Sequence, residues 1–167
     1  MGTRSNVLHG ISLVRLDGAD VGYTDGGVEV EKAVEIFEKM VDQELDAIDV
    51  VPTKYSMFVR TTMAEATLEN LKIIWNEPEA IVTAGNTRTL YLGYQQTIPD
   101  HLLEFVGSSP EGYTRTYTLY RAKQITSSAH TLQKEDKVVF PVEFRCLPDW
   151  DRDIGKRYGK IVDVTGP

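Results

Sequence analysis

The chain has 167 residues, 41% of them hydrophobic, enough for one well-filled core and too few for two ordinary domains. Its formal charge of −7 argues against a protein that grips phosphate backbones with a basic surface. Its single cysteine, Cys146, excludes an internal disulfide framework and a metal site of several thiolates, and it fits a cytosolic product.

The first strand expected is Ile11 to Leu16. "YTDGGV", with Asp25 and Gly26, carries the residues of a tight reversal and is expected to join that strand to one beginning near Val28. Residues 28–41, "VEVEKAVEIFEKMV", fit two periods. As a strand, Val28, Val30, Val34 and Ile36 alternate with Glu29, Glu31, Ala33 and Glu35. As a helix, Val30, Ala33, Val34, Phe37, Met40 and Val41 make one stripe. The reversal before the segment and its β-branched start lean towards strand. Residues 29–49 hold eight carboxylates and two lysines, so nearly all the net charge lies there.

Residues 42–54, "DQELDAIDVVPTK", read as a long acidic loop. From Tyr55 the apolar residues Tyr55, Met57, Val59 and Met63 fall at even spacing, the mark of a strand. Ala64, Leu68, Leu71 and Trp75 then follow at i, i+4, i+7 and i+11, one face of a helix over residues 63–75 that packs on a sheet. Thr62 and Glu65 have capping-box spacing at its start, and Asn76 and Pro78 stop it. "IVTAGNTRTLYL" places Gly85 and Asn86 in a two-residue hairpin. In "KVVFPVEFRCL" Val138, Phe140, Val142, Phe144 and Cys146 share one face, and Pro141 is expected where a ladder needs no donor.

The search for chemistry yields little. His9, His101 and His130 stand far apart without ligand or triad spacing and read as solvated or satisfied structural histidines. Cys146 lies on an apolar face and reads as a small hydrophobe. "DWDRDIG" offers Asp149, Asp151 and Asp153 at the first calcium-loop positions, but Ile154 stands where glycine is needed and Lys160 where a bidentate glutamate is needed, so a surface turn is expected. No phosphate loop, nucleophile elbow or zinc helix motif occurs, and neither enzyme activity nor a cofactor is expected. No apolar run reaches the roughly 20 residues of a membrane span, the first 14 residues lack a signal peptide's apolar stretch, and Asn6 stands where a myristoylation site needs Ser or Thr.

"GYTDGGVEVE" at residues 22–31, "MVDQELDAIDVVPTKYSMFVRTTMAEATLENL" at residues 40–71 and "VVFPVEFRCLPD" at residues 138–149, in that order, resemble the tail tube proteins (major tail proteins) of long-tailed bacteriophages. The resemblance implies an α+β, mainly β fold: a β-sandwich or open barrel of antiparallel strands with one flanking α-helix, in a single domain over residues 1–167. Extended arms are implied at about residues 1–20 and 148–167. It also resolves residues 28–41 as strand. By resemblance the subunits form hexameric rings that stack into a tube through which DNA leaves the capsid without specific binding. Implied partners are further copies, a tape measure protein, a tail terminator, and distal tail or baseplate proteins. The implied location is the virion, with assembly in the host cytoplasm and no membrane. Glu29, Glu31 and Glu35 are then expected to face the lumen, with the opposite parity packed into the subunit. The segment with Asp42, Glu44, Asp46, Ile48, Asp49, Val50 and Val51 is expected to reach the next ring and meet Lys or Arg near residues 152–160. Another β-rich tail or head-to-tail connector component, the tube protein of a contractile injection machine and a small ligand-binding barrel are the alternatives.

Overall fold

The structure, a computed structural model, describes residues 10–93, 96–109, 113–127 and 137–164. Among these the chain is mainly β, with antiparallel strands and one α-helix. In chain order the strands are β1 (Ile11–Leu16), β2 (Ala19–Asp20), β3 (Thr24–Lys39), β4 (Asp49–Met63), β5 (Val82–Ala84), β6 (Thr87–Thr89), β7 (His101–Ser108), β8 (Thr114–Gln124), β9 (Phe140–Cys146) and β10 (Gly159–Asp163), with α1 (Leu68–Ile74) between β4 and β5.

One large sheet runs β2-β1-β7-β8-β9-β4-β3, and β10 joins it by pairing with β8. The far edge of β8 is shared, because Arg115 to Leu119 pair with β10 and Ala122 to Gln124 pair with β9. The sheet forks there. It also curls until β1 and β3 come into contact without pairing, so it has the form of an open barrel. The concave side holds the core, with Val14, Leu16, Val59, Met63, Phe105 and Phe144 each at most 2% exposed.

The last expected strand is present with the face read from its spacing. Phe140, Val142, Phe144 and Cys146 are buried, while Pro141 and Arg145 are exposed. The Glu143 carbonyl accepts from Ile125 N–H at 2.9 Å, so odd-numbered residues of β9 turn their backbone groups towards β8. Pairing with β8 stops at Phe144, and the nitrogen of Pro141 lies beyond the end of that ladder. Gly85 and Asn86 make the expected hairpin between β5 and β6, Gly85 at φ +58°.

Other boundaries move. The reversal after β1 is made by Asp17 (φ +52°) and Gly18 (φ +82°), which fold Ala19 and Asp20 back on Arg15 and Leu16. Gly26 and Gly27 (φ +78° and +84°) instead form a bulge inside β3, between the pairs Asp25–Thr62 and Val28–Thr61. Glycine is required there as expected, but to kink a strand and not to end one. The segments expected as arms contribute strands. β1 supplies Val14 and Leu16 to the core, and β10 lies against β8 so closely that a Cβ on Gly159 would sit 2.3 Å from the Thr118 carbonyl oxygen.

The helix starts five residues later than the spacing predicts, because the ladder holds Thr62 between Asp25 and Pro141 and keeps the chain extended to Met63. Thr67 is the N-cap, its hydroxyl accepting from Asn70 N–H at 3.2 Å. Glu65 does not complete a capping box; it accepts from Tyr23 N–H at 3.0 Å. Ala64 therefore lies outside the helix, and its N–H donates to the Tyr23 carbonyl at 2.8 Å. The helix buries Asn70 and Ile74, while Leu71, Ile73 and Trp75 are partly buried against the core and Leu68 is half-buried. Asn70 donates to the Val21 carbonyl at 2.8 Å and Asn76 to the Gln124 carbonyl at 3.2 Å, so the helix is tied at both ends across the barrel. Asn76 takes the left-handed conformation expected of the stop.

Candidate assembly surface

β3 and β4 pair from Thr24–Met63 to Lys39–Asp49, a ribbon far longer than the core it covers. Three features let the sequence build it. Val, Ile, Phe, Tyr and Thr favour extended backbone; the Gly26–Gly27 bulge increases the local twist; and a second bulge accommodates Pro52. There the register shifts between Glu35 and Ile36, and the extra residue, Thr53, turns its hydroxyl onto the Glu35 carbonyl at 3.1 Å. The end is closed by a Lys39–Asp49 ion pair at 3.0 Å and by Ile48 N–H donating to the Lys39 carbonyl at 2.9 Å. Asp49 to Lys54, expected as loop, thus belong to β4, and only residues 40–48 connect the strands.

Burial falls away along the ribbon. Val59, Thr61 and Met63 are buried at its base, and Val28 packs partly against the core. Beyond Val30 both faces are open: Val34, Ile36, Phe37, Ile48, Val50 and Tyr55 are each about half exposed, and Leu45 is fully exposed. Only Val51 is half-buried among the apolar residues expected to contact the next ring. Among the described residues β3 is also the last strand of the sheet, so its outer edge has no strand of that set to pair with.

Glu29, Glu31 and Glu35 do share one face of β3. The expectation that the opposite parity packs into the subunit fails after Val28, because Val30, Lys32, Val34 and Ile36 are exposed and, among the described residues, no second layer covers Val34 or Ile36. Nor are the three carboxylates unopposed. Arg60, across the ladder from Glu29, reaches Glu29 at 3.0 Å, Glu31 at 2.6 Å and also Glu143 on β9. The hydrogen bonds it donates to Glu31 and Glu143 raise its already high pKa, so Arg60 stays charged and clamps β3, β4 and β9 together. Lys54 meets Glu35 at 2.6 Å. The unneutralised charge lies further out: Glu38, Asp42, Glu44 and Asp46 make no ion pair among the described residues and are all exposed.

Beside the ribbon's base, β10 and the turn before it rise from the fork in β8 and leave a groove of about 430 Å³. Tyr158 bounds it and reaches the Tyr55 carbonyl at 3.5 Å. Its floor is apolar, with Met57, Phe105, Tyr117 and Leu119, and Phe105 and Tyr117 stack at 4.6 Å. Lys32, Arg157 and Lys160 line it, and among the described residues no carboxylate does. Sequence reasoning missed this groove and the Arg60 clamp. The parity of Arg60 opposite Val59 is visible in the sequence, but its three partners come from two other strands.

The remaining candidates are structural. Cys146 is buried, which pushes its thiol up to about 12 and keeps it an inert thiol. His101 is buried with Nδ1 2.7 Å from the Asp17 carboxylate; His9 and His130 lie outside the described residues. Asp149 and Asp153 spend their carboxylates on Arg152 and Lys156 within a surface turn. Among the described residues no group of three His, Cys, Asp or Glu is placed to hold a metal, and no helix is long and apolar enough to cross a membrane. No protein-family model matches the chain, and no curated protein matches its sequence.

Proposed function

We propose that this chain is a structural subunit that self-assembles into hexameric rings stacked as the tail tube of a long-tailed phage, a conduit for DNA and not an enzyme. The observation that carries the reading is the bare ribbon. A single chain that exposes half of a 16-residue strand on both faces and along its free edge leaves apolar surface and backbone groups that other copies would cover. The sequence resemblance supplies the form of the assembly. In this reading the tape measure protein occupies the lumen during assembly, the terminator and the distal tail or baseplate proteins close the ends, and the product resides in the virion. The face with Glu29, Glu31 and Glu35 looks onto the DNA. Paired with Arg60 and Lys54, it presents a mildly acidic surface on which phosphates find no run of cations.

Negative-stain electron microscopy of the purified chain, alone and with a tail-tip initiator, is the test. Sixfold rings or tubes are expected. Isolated monomers under both conditions would overturn the reading, as would a compact assembly without a channel.

A further inference from the structure

Glu77 is 8% exposed, yet among the described residues no lysine, arginine or histidine pairs with it. Asn76 at φ +54° turns the chain off the end of α1, Glu77 N–H closes back onto the Lys72 carbonyl at 2.9 Å, and Pro78 prevents the helix from resuming. The side chain is thereby carried inwards, where Oε2 accepts from Gly93 N–H at 2.8 Å. Its other oxygen, Oε1, makes no hydrogen bond. Among the described residues the enclosed side-chain atoms without a partner are Asn76 Oδ1 and His101 Nε2. Glu77 Oε1 is therefore not enclosed, and it opens onto the cavity that Glu77 lines.

That cavity, of about 530 Å³, lies between α1, the turn after β1 and the segment entering β7, and Leu16, Ile73, Ile81 and Pro99 give it apolar walls. Its size is that of a small-molecule site. The other carboxylates that line it are already engaged: Asp17 with His101 and Leu102 N–H, Glu69 with Arg88, and Asp100 with Arg121 and Lys123. Glu77 alone among them lacks a cation. A carboxylate withdrawn from water is best satisfied by a donor that is also positively charged, because pairing and hydrogen bonding then offset the lost hydration together. From this we infer that the cavity binds a primary ammonium group on a short apolar stem, supplied by a free alkylamine or by a lysine side chain of another protein. The ammonium meets Glu77 Oε1 and the stem lies along the apolar walls. No residue of the β3–β4 ribbon lines this site, and it does not depend on whether copies assemble. Lys72 also lines the cavity and makes no ion pair among the described residues, so an anion is the competing occupant.

Nuclear magnetic resonance of the isotope-labelled, unassembled chain tests this, with the Gly93 amide as the reporter because its N–H lies on Glu77. The probes are n-butylammonium and N-acetyl-lysine methylamide, and n-butanol and butyrate are the neutral and anionic controls. Both ammonium probes are expected to shift the Gly93 resonance saturably and both controls to leave it in place. Whichever probe binds more tightly identifies the source as a free amine or a protein side chain. Glu77→Gln keeps the shape and an oxygen for Gly93 but removes the charge, and it is expected to weaken both probes about tenfold or more. Circular dichroism and the thermal midpoint establish that it is folded. Ala80→Phe, at an exposed lining position, fills the cavity with Glu77 left in place; it should block both probes, and it decides the question if Glu77→Gln does not fold. Lys72→Met removes a like charge and should leave both probes bound at least as tightly. The inference is overturned if neither ammonium shifts Gly93 saturably, if n-butanol acts equally, or if folded Glu77→Gln or Ala80→Phe keeps the wild-type affinity. Butyrate binding that Lys72→Met abolishes also overturns it, and assigns the cavity to anions.

Discussion

The base and the tip of the β3–β4 ribbon are written in the same alphabet. Val59, Thr61 and Met63 alternate with polar residues as Val28, Val30, Val34 and Ile36 do, yet the first three are buried and three of the other four are exposed. At the base, α1, β1 and the curl of the sheet supply a second layer; at the tip nothing among the described residues does. Alternation therefore records which side chains share a face, and long-range packing decides whether that face is covered. The uncovered half is where the molecule has surface to offer another.

Truncation is the most direct way to break the comparison. Phe144→Ala, beneath the base, is expected to cost the free chain about 3–5 kcal/mol, whereas Phe37→Ala, 58% exposed, should cost less than about 0.5 kcal/mol and act on assembly instead. Denaturant unfolding of the unassembled chain reads both, and similar costs for the two would mean that the ribbon is folded against the body. The same contrast can be drawn within the helix. Ile74→Ala, 1% exposed, should cost about 2–5 kcal/mol, and the half-buried Leu71→Ala about half as much. Reversal of that order would restore the face expected from the 68–71–75 spacing.

A smaller effect is expected where β10 meets β8. Gly159→Ala forces a Cβ onto the Thr118 carbonyl, an overpacking worth about 1–3 kcal/mol. Hydrogen exchange should localise the loss to β10 and the groove wall, and loss spread evenly over β9 and β4 would contradict a local clash. The smallest effect is titration. The bidentate hydrogen bond from Arg115 holds the Asp163 carboxyl below its usual 3.8. A depressed carboxyl contributes stability above its unfolded value and loses it as the pH falls through the folded value. Acidification below about 3.8 should thus loosen β10 before the core, and Asp163→Asn should remove that step from the pH profile of β10 exchange.

The late strand with Phe140, Val142 and Phe144 was legible because both its neighbours and its face follow from one uninterrupted alternation. The Gly85–Asn86 hairpin was legible because a two-residue reversal is decided by the reversal itself. Residues 28–41 were not, since Val30 and Val34 served both the helical stripe and the strand alternation, and it took pairing with β4 from Val28 to Lys39 to separate them. Pro52 concealed the start of β4, as a proline looks like a loop until a bulge accommodates it. Thr62 and Glu65 had the spacing of a helix start, but two neighbouring strands held Thr62 extended.

What the sequence by itself determined was local. It specified the mainly β character, the parity of β4 and β9, the need for glycine at Gly26 and Gly85 and the stop at Asn76, because these depend on side-chain shape and backbone freedom within a few residues. Only the tertiary structure decided which faces are covered, which cation meets Glu29, Glu31 and Glu143, where the helix begins, and that a carboxylate-free groove opens beside the ribbon. Those outcomes depend on strands that meet across the fork in β8 from opposite ends of the chain, and no periodicity within a segment carries the identity of a distant partner.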